Sequence, residues 1–403
     1  MKIINRTSIS IIVLLALLLF SCDIKDNKEV KPETYVKIYN NENFSESYIP
    51  YDIQQTSDGG FIILGARRIN TSPFFGVYLM KVDKEGQFVT HQELSTDFVN
   101  PVKELIAIGN EFYFFCMNSL TLNSILMSVN ESGEVRTISE SSVIYPLAAC
   151  KDNQQGLALL SYNRDDLKTV FTRFTIAGDI TDQRSYDIGF GDFDIEEPVI
   201  DHLTGTGKHL PFFCGSIDNN RFFINGFYNY TLSTLIIDFS KDEKAMPAVL
   251  QGYRDERCLS SMTFISGNTF ALSRYAYGKN FISPVTAINT NGGAISSSND
   301  IQGNIILELP DNAKMIARKL EINGRSCIVF GSETKSKQIL LLFYDATSGQ
   351  LIATKNLGYT NPYEMAGFTG TSDGGMAVTG TTYIAGRFAR VCLFKLSAED
   401  LKI

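Results

Sequence analysis

The residue types that most often carry chemistry are sparse in this 403-residue chain. There are three histidines, His91, His202 and His209. A zinc site needs ligands at short, regular spacing, and none of the three stands at that distance from another histidine, cysteine or acid. No metal is expected. Asp192, Asp194 and Glu196, within the acidic stretch Asp187–Asp201, could present alternating oxygens to calcium. A solvated acidic loop accounts for the same residues and is the preferred reading. Cys116, Cys150, Cys214, Cys258, Cys327 and Cys392 lie 34 or more residues apart in apolar, strand-like runs. They read as small buried hydrophobes rather than a redox pair or a disulfide framework. Neither a phosphate-binding G-x-x-x-x-G-K-[ST] loop nor a nucleophile elbow is present, so no cofactor is called for.

Arginine and aromatic side chains are plentiful, and weighing them requires the elements that carry them. Composition is globular, at 44% hydrophobic and 20% charged residues. A net charge of −8 argues against a nucleic-acid binder, which needs a basic face.

The N-terminus reads as a targeting segment. Lys2 and Arg6 precede an apolar run, Ile9 to Phe20, of 12 residues. That is short of the roughly 20 residues that span a bilayer and suits a signal peptide. It ends Leu19-Phe20-Ser21-Cys22, which resembles the bacterial lipoprotein box, with Phe20 bulkier than usual at its place. The resemblance implies cleavage before Cys22 and acylation of that residue, palmitate included, so that residues 1–21 are the signal, 22–33 the lipidated cysteine and a polar tether, and 34–403 the folded domain. Acyl chains contribute roughly 0.8 kcal/mol per buried methylene, and several anchor stably. Asp23, Asp26 and Glu29 resemble the acidic export signal of Bacteroidota-type surface lipoproteins. The resemblance implies an outer-membrane protein at the cell surface, with the periplasmic side as the alternative.

Beyond residue 34 the chain repeats. Pro50–Gly65, Pro101–Cys116 and Pro146–Ser161 each run from a proline to a small residue ending an apolar stretch, and Pro198–Cys214 is a longer fourth copy. Similar stretches end at Ser273, Gly331 and Gly380. A second strand pair with a glycine turn follows most of them, as in Tyr78–Thr90, Ile125–Thr137 and Val285–Ser296, with Gly86, Gly133 and Gly293 at the reversals. Each unit is four short strands, which predicts an all-β chain folded as a seven-bladed β-propeller; six or eight blades are the alternatives. The seventh unit runs out of chain at Ile403, and Thr34–Phe44 reads as an orphan outer strand. It is expected to complete the last blade and close the ring, protecting its edges.

The phrase TSDGG occurs at Thr56–Gly60 and at Thr371–Gly375. With "FIILG…VYLMKVDKEGQFV" it resembles the TSDGG-type β-propeller repeat of Bacteroidota exported proteins across most of residues 34–403. The resemblance implies a propeller and no activity. The first copy also resembles the core of the sialidase Asp-box, without its tryptophan. A sialidase needs an arginine triad, a tyrosine nucleophile and acidic partners besides, which the sequence does not assemble. Asp58 is expected to accept hydrogen bonds from its own turn.

In a propeller the loops between second and third strands share one face with the blade-to-blade crossings. Those loops are expected to carry Arg67, Arg68, Phe74 and Phe75; Tyr162 and Arg164; Arg221, Phe222, Phe223, Phe227, Tyr228 and Tyr230; Arg274, Tyr275, Tyr277 and Phe281; and Tyr383 and Arg387. Arginine and tyrosine suit binding hot spots. The leading expectation is therefore a non-catalytic, monomeric binding or scaffolding module for a protein partner or a glycan. The absence of tryptophan tips the balance toward a protein. The alternative is a glycan-active hydrolase or lyase with carboxylates near the central axis.

Overall fold

The second and third strands of each repeat read as unbroken apolar runs because both faces of every sheet are covered. In Phe61–Arg68 the first six residues are all buried, whereas the outer strands Phe88–Glu93 and Ile180–Asp187 alternate between half-buried and exposed. Strands covered on both faces lose the two-residue alternation that half-exposed strands keep. A computed structural model describes residues 34–39, 46–189, 195–254, 256–358, 361–384 and 388–403. Cys22, the tether, Asp192, Asp194 and Arg387 lie outside the described residues.

The fold is an all-β propeller built of four-stranded antiparallel units. Unit one comprises Tyr48–Gln55, Phe61–Arg68, Phe75–Val82 and Phe88–Glu93; unit two, Ile106–Ile108, Glu111–Asn118, Asn123–Asn130 and Val135–Ile144. Unit three comprises Pro146–Asp152, Gly156–Asn163, Lys168–Phe174 and Ile180–Asp187; unit four, Phe213–Ser216, Arg221–Tyr228, Thr231–Asp238 and Ala248–Gln251. Unit five comprises Arg257–Ser266, Thr269–Ala276, Lys279–Ala287 and Asn304–Ile305; unit six, Met315–Ile322, Arg325–Glu333, Ile339–Asp345 and Leu351–Leu357. Unit seven comprises Tyr363–Gly370, Met376–Ile384 and Phe388–Leu396, with Tyr35–Ile38 as its fourth strand, pairing antiparallel from Tyr35 opposite Lys395 to Ile38 opposite Cys392. The short strand Phe98–Val99 bridges units one and two.

The core is divided among the gaps between neighbouring units. Leu64 and Phe114 pack between units one and two, Phe115 and Phe174 between two and three, Phe171 and Phe222 between three and four. Phe223 and Phe270 fill the next gap, Ile282 and Phe330 the one after, and Phe343 and Phe368 the gap between six and seven. Ile53, Met80, Ala377 and Leu393 then join unit seven to unit one.

Two expectations need correction. The fourth repeat does not align on Cys214, which lies in that unit's first strand; the second strand is Arg221–Tyr228. The chain upstream instead forms a helix, Glu196–Thr204, with Val199 and Leu203 buried one turn apart and Gly205 ending it in the left-handed conformation. Ile295–Ser297 does not become the fourth strand of unit five either. It pairs in parallel with Ala248–Gln251, covering the open edge of unit four.

Both TSDGG copies are the turn between first and second strands. Asp58 accepts hydrogen bonds from Thr56 Oγ1 (2.5 Å), Gly60 N (2.8 Å) and Lys81 Nζ (3.0 Å). Asp373 repeats the set with Thr371 (2.5 Å), Gly375 (3.1 Å) and Lys395 (2.7 Å). The paired glycines have separate reasons. Gly59 and Gly374 hold φ of 83° and 77°, where a Cβ is strained. At Gly60 a Cβ would sit 2.4 Å from the Val82 carbonyl oxygen, and at Gly375 2.2 Å from that of Leu396.

Gly60→Ala is therefore expected to destabilise the protein by roughly 1–3 kcal/mol, with Gly59→Asn costing less because asparagine tolerates a positive φ. Urea midpoints for the two variants check the order. Deleting residues 34–39 bares the Phe388–Leu396 edge and is expected to lower the thermal midpoint by about 5 °C or more; an unchanged melt would overturn the role given to that strand.

Candidate functional site

First strands of the units converge on a central channel. Its main cavity measures about 910 Å³ and is lined from every unit, by Asp52, Glu104, Cys150, Phe213, Ser261, Arg318 and Ala366 among others. Its mouth, a further cavity of about 320 Å³, lies where the helix and the segment behind it cross the face. The helix sits on the face that carries the second-to-third-strand turns. Arg68 Nη1 donates to the Thr204 carbonyl (3.5 Å), while Arg164 Nη1 lies 3.5 Å from Glu196 Oε1 and donates to Tyr145 Oη (3.4 Å). Glu196 also accepts from Tyr145 Oη (3.2 Å), and among the described residues no group of three potential metal ligands exists.

Asp52 is the most buried charge in the channel wall, at 1% exposed. It accepts from Ile53 N (2.9 Å), from Leu105 N in unit two (3.1 Å) and from Arg318 Nη2 in unit six (2.8 Å). Arg318 also donates to the Phe368 carbonyl of unit seven. Burial pushes the Asp52 carboxyl up, and Arg318 with the two amides opposes that. Glu104 repeats the theme one unit on, accepting from Ala149 N (3.2 Å) in unit three. Burial raises its carboxyl to about 7, the Ala149 amide opposing and the Asp52 charge adding.

The mouth carries both signs of charge. The half-buried Lys103 and the exposed Lys314 line it together with Glu333 and Glu364. Among the described residues no carboxylate comes within 4.0 Å of either ammonium, though others nearby are paired, as Lys337 is with Glu333 at 3.3 Å. Lys103 lies 5.7 Å from the centre of the Tyr51 ring. Burial, then the Lys314 charge, brings Lys103 down to about 7, and burial lowers Lys314. His202 Nδ1 accepts from Leu210 N (3.0 Å), so its proton resides on Nε2. Burial holds His202 neutral well below the usual range, and the Lys103 charge, then burial, brings His209 to about 3. Asn100 is 7% exposed; its Oδ1 accepts from Phe75 N (3.1 Å), and its Nδ2 has no partner.

The arginines and aromatics expected on the turn face are scattered. Arg67 belongs to a strand and pairs with Glu93 (3.3 Å); Arg68 lies 5.0 Å over Phe75, and Phe74 packs on the core. Tyr162 is 1% exposed and stacks on Tyr145. Phe222 and Phe223, at 0% and 3% exposed, are core residues of a strand, and Phe227 is buried as well. Arg221 starts that strand at the opposite end of the unit, paired with Asp218 (2.7 Å). This correction follows from the shifted fourth repeat. Arg274 is buried 3.9 Å over the half-buried Phe281, and Tyr275 is buried. Tyr228 packs on Tyr186, Tyr230 borders a separate cavity beside the helix, and Tyr383 is half-buried. Tyr277 alone of the described set is a largely exposed aromatic, at 63%. These residues do not form one binding face. The channel residues that do converge went unread, although the signal was there: Asp52, Lys103 and Glu104 stand two or three residues after the prolines used to align the repeats.

The two shifted groups oppose one another in pH. From about 4.5 to about 7 the folded state keeps a proton on Glu104 that the unfolded chain has lost, so stability falls as pH rises. From about 7 to about 10.5 the unfolded chain keeps a proton on Lys103 that the folded state has lost, so stability rises. Burial is the largest cause of both shifts; Lys314 and Glu104 bear on Lys103, and Asp52, Lys103 and Arg318 on Glu104, while His202, His209, Glu333 and Glu364 line the adjoining space. Urea midpoints between pH 5 and 10 are expected to pass through a shallow minimum near 7. Glu104→Gln should flatten the acid limb and Lys103→Met the alkaline limb, each by roughly 1–3 kcal/mol.

No protein-family model matches the sequence, and no curated protein matches it. Among solved structures, the chain is similar to the β-propeller domain of the Trilobed protease from Pyrococcus furiosus, at 10% identity and a TM-score of 0.46, over 88% of this chain and 96% of that one. It is similar to the Dos1 propeller at 7% identity and a TM-score of 0.36, over 86% and 68% of the two chains. Prolyl oligopeptidase B from Galerina marginata is matched at 10% identity and a TM-score of 0.41, over 83% of this chain and 46% of that one.

Proposed function

We propose that this chain is an exported, lipid-anchored seven-bladed propeller, closed by its N-terminal strand, that acts as a non-catalytic binding module and takes a glycan end into the mouth of its central channel. The Leu19-Phe20-Ser21-Cys22 box supports the anchor, with the outer membrane and the cell surface as the address. The observation that carries the binding site is the mouth itself. It is a concave space of about 320 Å³ lined by Lys103, Lys314, His202, His209, Glu333 and Glu364 among others. Binding sites are concave spaces with a few convergent polar groups. The recess favours a narrow ligand over a protein surface, which would seek a broad patch of 20–30 residues or so. The turn face offers no such patch, since most of its aromatics are buried or spent on neighbours.

Catalysis is the second reading, and Glu104 and Lys103, both brought near neutrality, are what favours it. Against it, Asp52 is fully engaged by Arg318 and two backbone amides, and Glu104 holds the Ala149 amide, so both carboxylates serve the scaffold.

A glycan array probed with the full chain tests the first reading. Ala366→Trp, which fills the channel, is expected to abolish the array signal, and Tyr277→Ser to leave it intact. The reverse pattern would return binding to the turn face. Shortened products recovered after incubation with a bound glycan would establish catalysis instead.

A further inference from the structure

Two of the cysteines beyond Cys22 do not fit the role of small buried hydrophobes. Cys116, Cys258, Cys327 and Cys392 are buried, whereas Cys150 and Cys214 are only half-buried. Those two also line the same channel cavity of about 910 Å³ and are hydrogen-bonded to one another. We infer that Cys150 and Cys214 are a reversible dithiol–disulfide pair, closed by exchange with an external disulfide, that staples unit three to unit four in the channel wall. The pair is independent of what the channel binds.

The fold brings the two together. Cys150 stands in Pro146–Asp152 and Cys214 in Phe213–Ser216, the first strands of consecutive units. These strands belong to separate sheets, so side chains carry the contact between them. The Leu160 amide, in the second strand of unit three, donates to Cys214 Sγ and draws that thiol toward unit three. Both cysteines pack against one apolar cluster. A disulfide needs its sulfurs roughly 2.05 Å apart, and two thiols already in hydrogen-bond contact can close by small side-chain movements. Structural buried thiols are inert, and reactive ones are partly exposed. Four cysteines here are of the first kind, and the channel pair is of the second. The exported address proposed above would place the pair in an oxidising compartment.

The exchange balances on the residues present and one external disulfide. Burial, then the bond to Cys150, holds the Cys214 thiol well above its usual range, so Cys214 stays protonated while Cys150 makes the first attack. The Cys150 thiolate, its proton shed to solvent, breaks the external S–S bond and displaces one thiolate, which takes the Cys214 proton. Cys214 Sγ then attacks Cys150 Sγ and releases the second thiolate, which takes a proton from solvent. The pair loses two protons and two electrons, and the external disulfide becomes two thiols. The segment so closed contains the helix Glu196–Thr204, and closing a long segment restricts the unfolded chain the most.

The test equilibrates the full-length protein in glutathione buffers from fully reduced to fully oxidised, followed by an acid quench, alkylation and peptide mapping by mass spectrometry. The oxidised buffer is expected to give one cross-linked peptide pair, carrying Cys150 and Cys214, with Cys116, Cys258, Cys327 and Cys392 alkylated. It should also raise the thermal midpoint by roughly 4 °C or more, and dithiothreitol should reverse both changes. In the folded, reduced protein, Cys150 and Cys214 are expected to take up N-ethylmaleimide at least about tenfold faster than the four buried cysteines. Cys150→Ser and Cys214→Ser should each abolish the cross-link and the redox dependence of the melt. Should a serine variant fail to fold, the peptide map of the unaltered protein decides alone. Both thiols remaining free in the oxidised buffer, or held there as separate glutathione adducts, would overturn the staple, as would a cross-link from either to another cysteine. None of these outcomes touches the glycan reading, which the array tests separately.

Discussion

The contact between Asp52 and Arg318 ties together units that are distant in the sequence. The two residues are 266 positions apart, and their bonds reach four units. Asp52 belongs to unit one and binds the Leu105 amide of unit two; Arg318 comes from unit six and also binds the Phe368 carbonyl of unit seven. First strands present one edge to the channel, where no further strand can pair with them. Their backbone groups need partners all the same, and side chains from the neighbouring unit supply them. Asp52, Glu104 and Arg318 are charged at positions where apolar residues would otherwise suffice, because only a long polar side chain reaches the next unit's backbone. A buried ion pair of this kind adds little net stability over a well-packed apolar pair, but losing one member leaves a stranded charge. Its value here is positional. It is satisfied only when units one and two and units six and seven stand in one arrangement.

The two ends of the propeller are built to different standards. At one end, the TSDGG turns are cross-braced from the third strand, by Lys81 on Asp58 and Lys395 on Asp373. Unit three reaches a similar result with Arg173 and Asp152, at 2.7 Å and both nearly buried. At the other end the helix Glu196–Thr204 lies over the channel, tied by Arg68, Arg164 and Tyr145. The braced end keeps the sheets in register, which leaves the helix end free to carry an insertion without disturbing the strands beneath it.

Much of the fold was legible because its signals are local. A glycine pair marks a turn, a run of six apolar residues marks a strand covered on both faces, and an orphan strand before the first proline marks a partner for a unit lacking one. The fourth repeat misled for a physical reason as well. Pro198 and the apolar Val199, Ile200 and Leu203 imitate the proline-and-apolar opening of a unit, but Val199 and Leu203 are spaced for one helical face. Once that segment was taken for strands, the true second strand, Arg221–Tyr228, was displaced into a loop, and its core phenylalanines became surface candidates. The channel site was illegible for a different reason. Its members come from units one, two and six and from the helix, and nothing in a linear reading shows that Lys103 and Lys314 face one cavity.

That juxtaposition has a consequence for how the free protein is balanced. Lys103 lies at about 7 because burial and a neighbouring cation both disfavour its charge, so near neutral pH it is charged only part of the time. An arrangement that served stability alone would place an apolar side chain there, or turn Glu104 toward it. Glu104 instead remains on the Ala149 amide. Residues that perturb one another's charge without neutralising it lower the stability of the unliganded state, and such places concentrate at sites that act on something else. The scaffold tolerates this because its own cohesion lies elsewhere, in the apolar gaps between units and in the Asp52–Arg318 contact.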